Sequence, residues 1–361
     1  MIKKAILTGG GRATRLRPIT TTINKHLIPL ANKPMIFYAI EKVVEAGVTE
    51  IAINLNPGET ELQKVVGDGS RWGVKIHYYE QTGGPQGIAH VVNLAKDWAG
   101  DEPFIFYLSD NIVLSSIKPL VDRFEKEKLD CLLAFAQVPD PERFGVPQFD
   151  SAGKLIDVLE KPADPPSDYA VTGIYIYNSK FFDAFGQIEK SARGEYEISS
   201  IHSYFLKNGQ SVGYEKIDGW WKDTGKPDDL LIANQLIMDK LPAEEFKNEG
   251  EIETGSRVLG KVKIGKGSKI SAGTQIFGPV MIGENCLLEA CRIGPHTTIS
   301  SGAEIRSAEI ERSIIFENVD IDSKIKIVDS IIGRNTSIVS GHLDKPQTHK
   351  MILGDNTFIE M

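Results

Sequence analysis

Cysteine is scarce and poorly placed for chemistry. The 361 residues hold three, Cys131, Cys286 and Cys291, without a C-x-x-C pair or the Cys/His spacing of a metal site. An odd number of isolated thiols excludes a disulfide framework and fits reduced, buried side chains. Long apolar runs are missing as well, since none approaches the length of about 18 residues that a membrane-spanning helix needs. The first residues enter a strand-like run without the cationic, apolar and small-residue order of a secretory signal. A cytoplasmic protein that engages no membrane is expected. Positive charge is in deficit, 41 Lys and Arg against 49 Asp and Glu for a net charge of -8. Nucleic acid is therefore not an expected partner, because a phosphate-neutralising surface needs Lys and Arg in excess. The seven histidines form no H-E-x-x-H or similar cluster.

What the chain does contain falls into two parts. With 41% hydrophobic and 25% charged residues it can build two cores. Up to about residue 240, apolar runs such as KKAILT, EIAINL, VKIHYY, FIFYL and CLLAFA alternate with helical patterns. KPMIFYAIEKVVEAG sets Pro34 near the first helical turn and Gly47 just past the end, with Ile36, Ile40, Val43 and Val44 on one stripe. QGIAHVVNLAKDWAG reads as a helix up to Gly100, and another helix is expected from Pro227 to about Leu241. This alternation predicts an α/β domain with a mostly parallel, Rossmann-like sheet covered on both faces. Ligands in such sheets sit at the carboxyl ends of the strands.

The pattern then changes. Ile252, Val258, Ile264, Ile270, Ile276, Ile282 and Leu288 recur at every sixth residue. The series resumes at Ile293, Ile299 and Ile305, at Ile315, Ile321 and Ile327, and at Ile332 and Ile338. One inward aliphatic per short strand, with a turn between strands, is the signature of a parallel β-helix. About five coils of three hexads are expected. The predicted organisation is a catalytic domain over 1–240, a charged linker over 241–251 and hexapeptide repeats over 252–361.

The loop LTGGGRATRLRPIT, beginning at Leu7, packs Gly9, Gly10 and Gly11 ahead of Arg12, Arg15 and Arg17. It is neither a G-x-G-x-x-G dinucleotide fingerprint nor a P-loop. A glycine turn whose bare N–H groups approach an anion, followed by arginines, suits a polyphosphate. On this loop alone, a tight turn with solvated arginines stays open. The loop is joined, in order, by NKHLIPLANKPMI, EQTGGPQGIAH, YLSDNI, PERFGVPQFD, LEKP, AVTGIYIY, RGEYEI and GWWKDTG. Together these resemble the motifs of the sugar-nucleotide pyrophosphorylases, a nucleotidyltransferase family. Its G-G-x-G-T-R-L signature matches Gly10, Gly11, Arg12, Ala13, Thr14, Arg15 and Leu16, with Ala13 in place of a glycine. With the hexad repeats added, the chain is similar to the long form of the glucose-1-phosphate thymidylyltransferases, whose β-helix is left-handed.

The resemblance implies an enzyme that joins a nucleoside triphosphate, dTTP first, to a sugar 1-phosphate, glucose 1-phosphate first, with release of pyrophosphate. It implies that Arg15 and Lys25 reach the triphosphate and that Gln81, Pro85 and Gly87 belong to the base-reading loop. One extra residue separates Gln81 from Pro85, and Ser109 stands where a glycine is usual. Asp110 and Asp223 would hold Mg²⁺, whose octahedral, oxygen-rich shell suits two carboxylates plus phosphate oxygens. Lys161 and Arg193 would hold the sugar phosphate, while Gly145, Glu160, Val171 and Gly173 line the sugar. Trp220 and Trp221 are read as core. The chemistry needs no protein base, since the attacking phosphate is already ionised. Competing readings are a UTP- or GTP-using enzyme, a non-catalytic regulatory paralogue, and a second, acyltransferase activity based on His296 in the repeats. The β-helix is expected to serve assembly of identical chains or regulation and to supply no catalytic group.

Overall fold

The five apolar runs become strands of one seven-stranded sheet in the computed structural model of the protein, which describes residues 2–217, 221–339 and 348–360. The chain separates into two units of interleaved sequence, Met1–Arg12 with Ile36–Asp223, and Ala13–Met35 with Thr224–Met361.

In the first unit the sheet strands are β1 (Lys4–Thr8), β2 (Glu50–Leu55), β3 (Lys75–Glu80), β4 (Phe104–Tyr107), β5 (Cys131–Gln137), β6 (Tyr169–Tyr177) and β7 (Val212–Lys216). They are ordered β7-β5-β6-β4-β1-β2-β3. All neighbours run parallel except β6, which is antiparallel to both β4 and β5. Ala5, Ile6 and Leu7 are completely buried, which is why the run is apolar without alternation: both faces of the sheet are covered. The helix Met35–Glu45 begins right after Pro34 and buries Ile36, Ile40 and Val43. The helical run expected up to Gly100 is two helices, Ile88–Leu94 and Lys96–Ala99, because Ala95 leaves helical geometry at φ −90°, ψ 9°.

In the second unit the helix Pro227–Lys240 starts on a proline, with the Lys226 N–H donating to Asp229 Oδ2 at 3.0 Å. Beyond it three parallel sheets of seven, six and six short strands wind as a β-helix. Within 241–251, Asn248 already bridges to Ile264. The register stacks the repeat residues in columns, such as Ile252, Ile270, Leu288, Ile305, Ile321 and Ile338. From Ile264 onward the expected inward residues are buried, and Ile310 fills the step that the hexad series leaves between Ile305 and Ile315. Ile252, on the first coil, is instead 39% exposed: it has no coil beneath it. Strands Thr348–His349, Ile352–Leu353 and Phe358–Glu360 carry the stack past the five coils expected, to six and the start of a seventh. At the turns, Asn318, Asn335 and Asn356 have positive φ and form a side-chain ladder.

One face of this stack differs from the others. Met281, Thr298, Ile314 and Ile331 alternate with the core residues Ile282, Ile299, Ile315 and Ile332, so they point outward, yet all four are buried. Within the same unit, segment 13–35 and the helix Pro227–Lys240 bond to this face.

Candidate active site

The glycine loop is shaped by its neighbours at the carboxyl end of β2. A Cβ on Gly9 would lie 2.7 Å from the Asn54 carbonyl oxygen, and one on Gly10 would lie 2.9 Å from Asn54 Nδ2. The Gly9 N–H donates to Asn54 Oδ1 at 3.0 Å. The Gly11 N–H donates to Asn56 Oδ1 at 2.9 Å, and Asn56 Nδ2 returns a bond to the Gly11 carbonyl at 3.1 Å. Asn54 and Asn56 thus hold the loop open, a role absent from the sequence-based site. Their signal is the alternating Asn pair in INLNPG, at the strand end where ligands bind in such sheets.

Gln81 follows β3, with its N–H bonded to the Leu55 carbonyl at 2.8 Å and its side chain buried. The extra residue after it is absorbed by Gly83 and Gly84, both at φ 80°. Gly87, at φ 94°, lets the chain pass so close to Tyr196 that a Cβ would sit 2.4 Å from the Tyr196 oxygen. Glu160 pairs with Gly145 across two antiparallel strands, and a Cβ on Gly145 would be 3.8 Å from both Glu160 Oε2 and Val171 Cβ. Lys161 Nζ stands 3.4 Å from Glu160 Oε1. Arg193 donates to the buried Glu197 at 3.1 and 2.8 Å and to Glu160 at 3.3 Å. Glu197 is a third residue that sequence reasoning missed; it stands four positions after Arg193. Gly10, Gly11, Gln81, Pro85, Gly87, Glu160, Lys161 and Arg193 all line one cavity of about 260 Å³.

Strand register sets Asp223 opposite a residue one position away from Asp110 along the chain. Asp223, ending the strand Trp221–Asp223, pairs with Asn111, the neighbour of Asp110. Asn111 is buried, and its Oδ1 accepts from the Gly173 N–H at 3.2 Å and Trp221 Nε1 at 2.8 Å, while its Nδ2 donates to Asp110 Oδ1 at 2.9 Å. Gly173 serves this packing, since a Cβ there would lie 2.7 Å from Asn111 Nδ2. Ser109 is buried and its N–H donates to Thr8 Oγ1 at 2.8 Å. Burial first, then the charges of Glu160 and Asp110, pushes the Tyr175 phenol up. Among the described residues no group of three or more His, Cys, Asp or Glu could hold a metal ion. Trp221 is buried, and Trp220 lies outside the described residues.

Arg12 closes the first segment of the first unit, whereas Ala13, Thr14, Arg15 and Lys25 belong to the second. Thr14–Leu16 and Lys25–Leu27 are single 3-10 turns, the latter capped by Asn24, whose Oδ1 accepts the His26 N–H at 2.9 Å. Ala13 is left-handed, φ 42° and ψ 37°, and its carbonyl accepts from Thr20 Oγ1 at 2.8 Å. A Cβ in that conformation costs about 1 kcal/mol or more. Ala13→Gly is therefore expected to raise stability slightly or leave it unchanged, with the greater freedom of the unfolded glycine offsetting part of the relief. A urea denaturation series checks this; a clear loss of stability would mean that the methyl group packs usefully.

A family model described as nucleotidyl transferase matches residues 4–240. The chain belongs to that family. It is 36% identical to the low-salt glycan biosynthesis nucleotidyltransferase of Haloferax volcanii over 360 residues, covering 99% of this chain and 100% of the relative. It is 35% identical to the glucose-1-phosphate thymidylyltransferase of Streptomyces antibioticus, covering 99% of each. A crystal structure from Bacillus anthracis, described as a glucose-1-phosphate thymidylyltransferase in complex with sucrose, superposes with TM-score 0.63 at 37% identity, covering 67% of this chain and 97% of that one. The protein is thus a nucleotidyltransferase, and its full-length relatives share the coil stack's span of sequence. No described helix of this nucleotidyltransferase is long and apolar enough to cross a membrane. Its three cysteines are free and buried. His296 occupies a left-handed turn, with Nε2 2.8 Å from Asp239 Oδ1.

Proposed function

We propose that this nucleotidyltransferase condenses dTTP with glucose 1-phosphate to give dTDP-glucose and pyrophosphate. The observation that carries the reading is the convergence of the glycine loop, Gln81, Glu160, Lys161 and Arg193 on one cavity; the thymidylyltransferase name of full-length relatives supports the choice of substrates. An oxygen of the sugar phosphate attacks the α-phosphorus in line, the bond from that phosphorus to the bridging oxygen breaks, and the electron pair leaves with pyrophosphate. No covalent enzyme intermediate forms, so catalysis rests on positioning and charge.

The N–H groups of Gly10, Gly11, Arg12, Ala13 and Thr14 cradle phosphate oxygens. Arg15 and Lys25 neutralise the β and γ phosphates. Gln81, with Pro85 and Gly87 shaping its loop, bonds the pyrimidine edge. Gly145, Glu160, Val171 and Gly173 form the sugar side, and Lys161 holds the sugar phosphate. Arg193 adds to this with the Nη1 donors that its bonds to Glu197 and Glu160 leave over. Asp110 and Asp223 would suit a divalent ion that brings most of its ligands as phosphate oxygens and water, since among the described residues no group of three or more His, Cys, Asp or Glu forms a metal site. When bound, Mg²⁺ would draw charge from the phosphates. The catalytic machinery is assigned to 1–240, with 241–251 as the joint and 252–361 as the stack. Both ends of the stack expose large apolar side chains, Ile252 and Leu259 at one and Phe358 at the other, which favours association of identical chains.

Initial rates over a grid of nucleoside triphosphates and sugar 1-phosphates test the substrates; a preference for ATP or GTP would overturn the pyrimidine reading. Gln81→Ala should raise the KM for dTTP about tenfold, through loss of paired hydrogen bonds to a buried base, and leave the KM for glucose 1-phosphate alone. Equal rises in both constants would remove Gln81 from base recognition.

A further inference from the structure

Segment 13–35 ends in a hairpin of Pro29–Leu30 and Lys33–Pro34. Its two turn residues, Ala31 and Asn32, both have positive φ, 47° and 57°. Such a turn ordinarily calls for glycine or asparagine first and glycine second; Ala-Asn fits it poorly. The tip is held by the coil stack. Asn32 Nδ2 donates to the carbonyls of Ile299 at 2.9 Å and Met281 at 3.2 Å, bridging two adjacent coils. The Ala31 N–H donates to Asn234 Oδ1 at 2.8 Å, and Asn234, wholly buried on the helix Pro227–Lys240, donates to the His296 carbonyl at 3.3 Å. Ten residues earlier in the segment, Thr22 Oγ1 donates to Asp355 Oδ2 at 2.7 Å. The face that receives the tip is the one whose outward residues, Met281 and Thr298 among them, are buried.

From this geometry we propose that Asn32 is a positioning residue: by plugging into the coil stack it fixes the segment that presents Arg15 and Lys25 to the triphosphate. The proposal rests on the phosphate roles given to those two residues above. The β-helix then has a part in catalysis without supplying a group that touches substrate, through the backbone carbonyls of Met281 and Ile299. Catalytic efficiency toward the triphosphate depends on coils laid down more than two hundred residues after the loop they steady.

Asn32→Gly separates this role from a merely structural one. Glycine accepts φ 57° without strain, so the turn survives while the two amide bonds, and the bond that Asn32 Oδ1 accepts from Ser300 Oγ at 3.4 Å, are lost. The full-length variant is compared with wild type in steady-state assays with dTTP and glucose 1-phosphate. Expected are a KM for dTTP raised about tenfold, a lowered kcat, an unchanged KM for glucose 1-phosphate and a melting temperature lowered only slightly, by the lost hydrogen bonds and the freer unfolded glycine. Limited trypsin digestion reads the same segment without relying on activity: cleavage after Arg15 or Lys25 should quicken in the variant while cleavage elsewhere does not. Wild-type turnover is the control. If the wild type is inactive on every triphosphate, the functional reading fails, and the trypsin pattern alone judges the positioning. If the wild type is active and Asn32→Gly matches it in both KM values, kcat and digestion, the proposal is overturned. Equal rises in both KM values also overturn it, since they report general loosening.

Discussion

Asp223→Asn is expected to lower turnover by about a thousandfold and leave the fold intact. The substitution keeps the shape of the side chain, and the backbone pairing of Asp223 with Asn111 does not depend on its charge. What disappears is half of the carboxylate pair assigned to the divalent ion. Asp110→Asn should cost a similar factor, and the double variant little more than either alone, because both serve one ion. Measuring kcat across a Mg²⁺ titration, with melting temperature as the folding control, checks each part. Near-wild-type turnover of Asp223→Asn at ordinary Mg²⁺ would remove it from the metal site.

Gly173→Ala combines a loss of stability with a loss of activity. Its new Cβ would stand 2.7 Å from both Asn111 Nδ2 and Leu108 Cβ. Neither can step aside cheaply, because Asn111 is buried and committed to Gly173, Trp221 and Asp110. Overpacking of this sort costs about 1 to 3 kcal/mol, and whichever way Asn111 moves, it disturbs its pairing with Asp223 and its bond to Asp110. A drop in the denaturation midpoint together with a fall in kcat of about tenfold or more is expected. A variant that loses stability yet keeps full kcat would show that the acids do not depend on Asn111.

The repeat half was legible to the extent that one rule governs it: an aliphatic every six residues is enough to place Ile264, Ile270 and Ile276 in the core. That rule assigns the alternate residues to solvent, which is where it fails. Ile314 and Ile331 directly precede the inward Ile315 and Ile332, and the doubled isoleucines are the mark of a face covered on both sides. In the first unit, the apolar runs located five strands, but nothing in the composition of Tyr169–Tyr177 reveals that it runs against its neighbours. The cavity residues were found through their motifs. The residues that hold them, Asn54, Asn56, Asn111 and Glu197, are ordinary polar side chains in sequence and acquire a role only through distances set by the sheet.

Thr22 and Asp355 are 333 residues apart and hydrogen-bonded. On a ribosome that adds about 5 to 20 residues each second, the partner of Thr22 emerges on the order of tens of seconds after Thr22 itself. The strands of the first unit can pair during that interval, but the segment bearing Arg15 and Lys25 must wait, since the coils and helix it lies against come last. A nascent chain would thus finish its sheet well before the segment carrying the two cations proposed for the triphosphate is seated, so that the order of synthesis sets the order in which the two parts of the proposed site form.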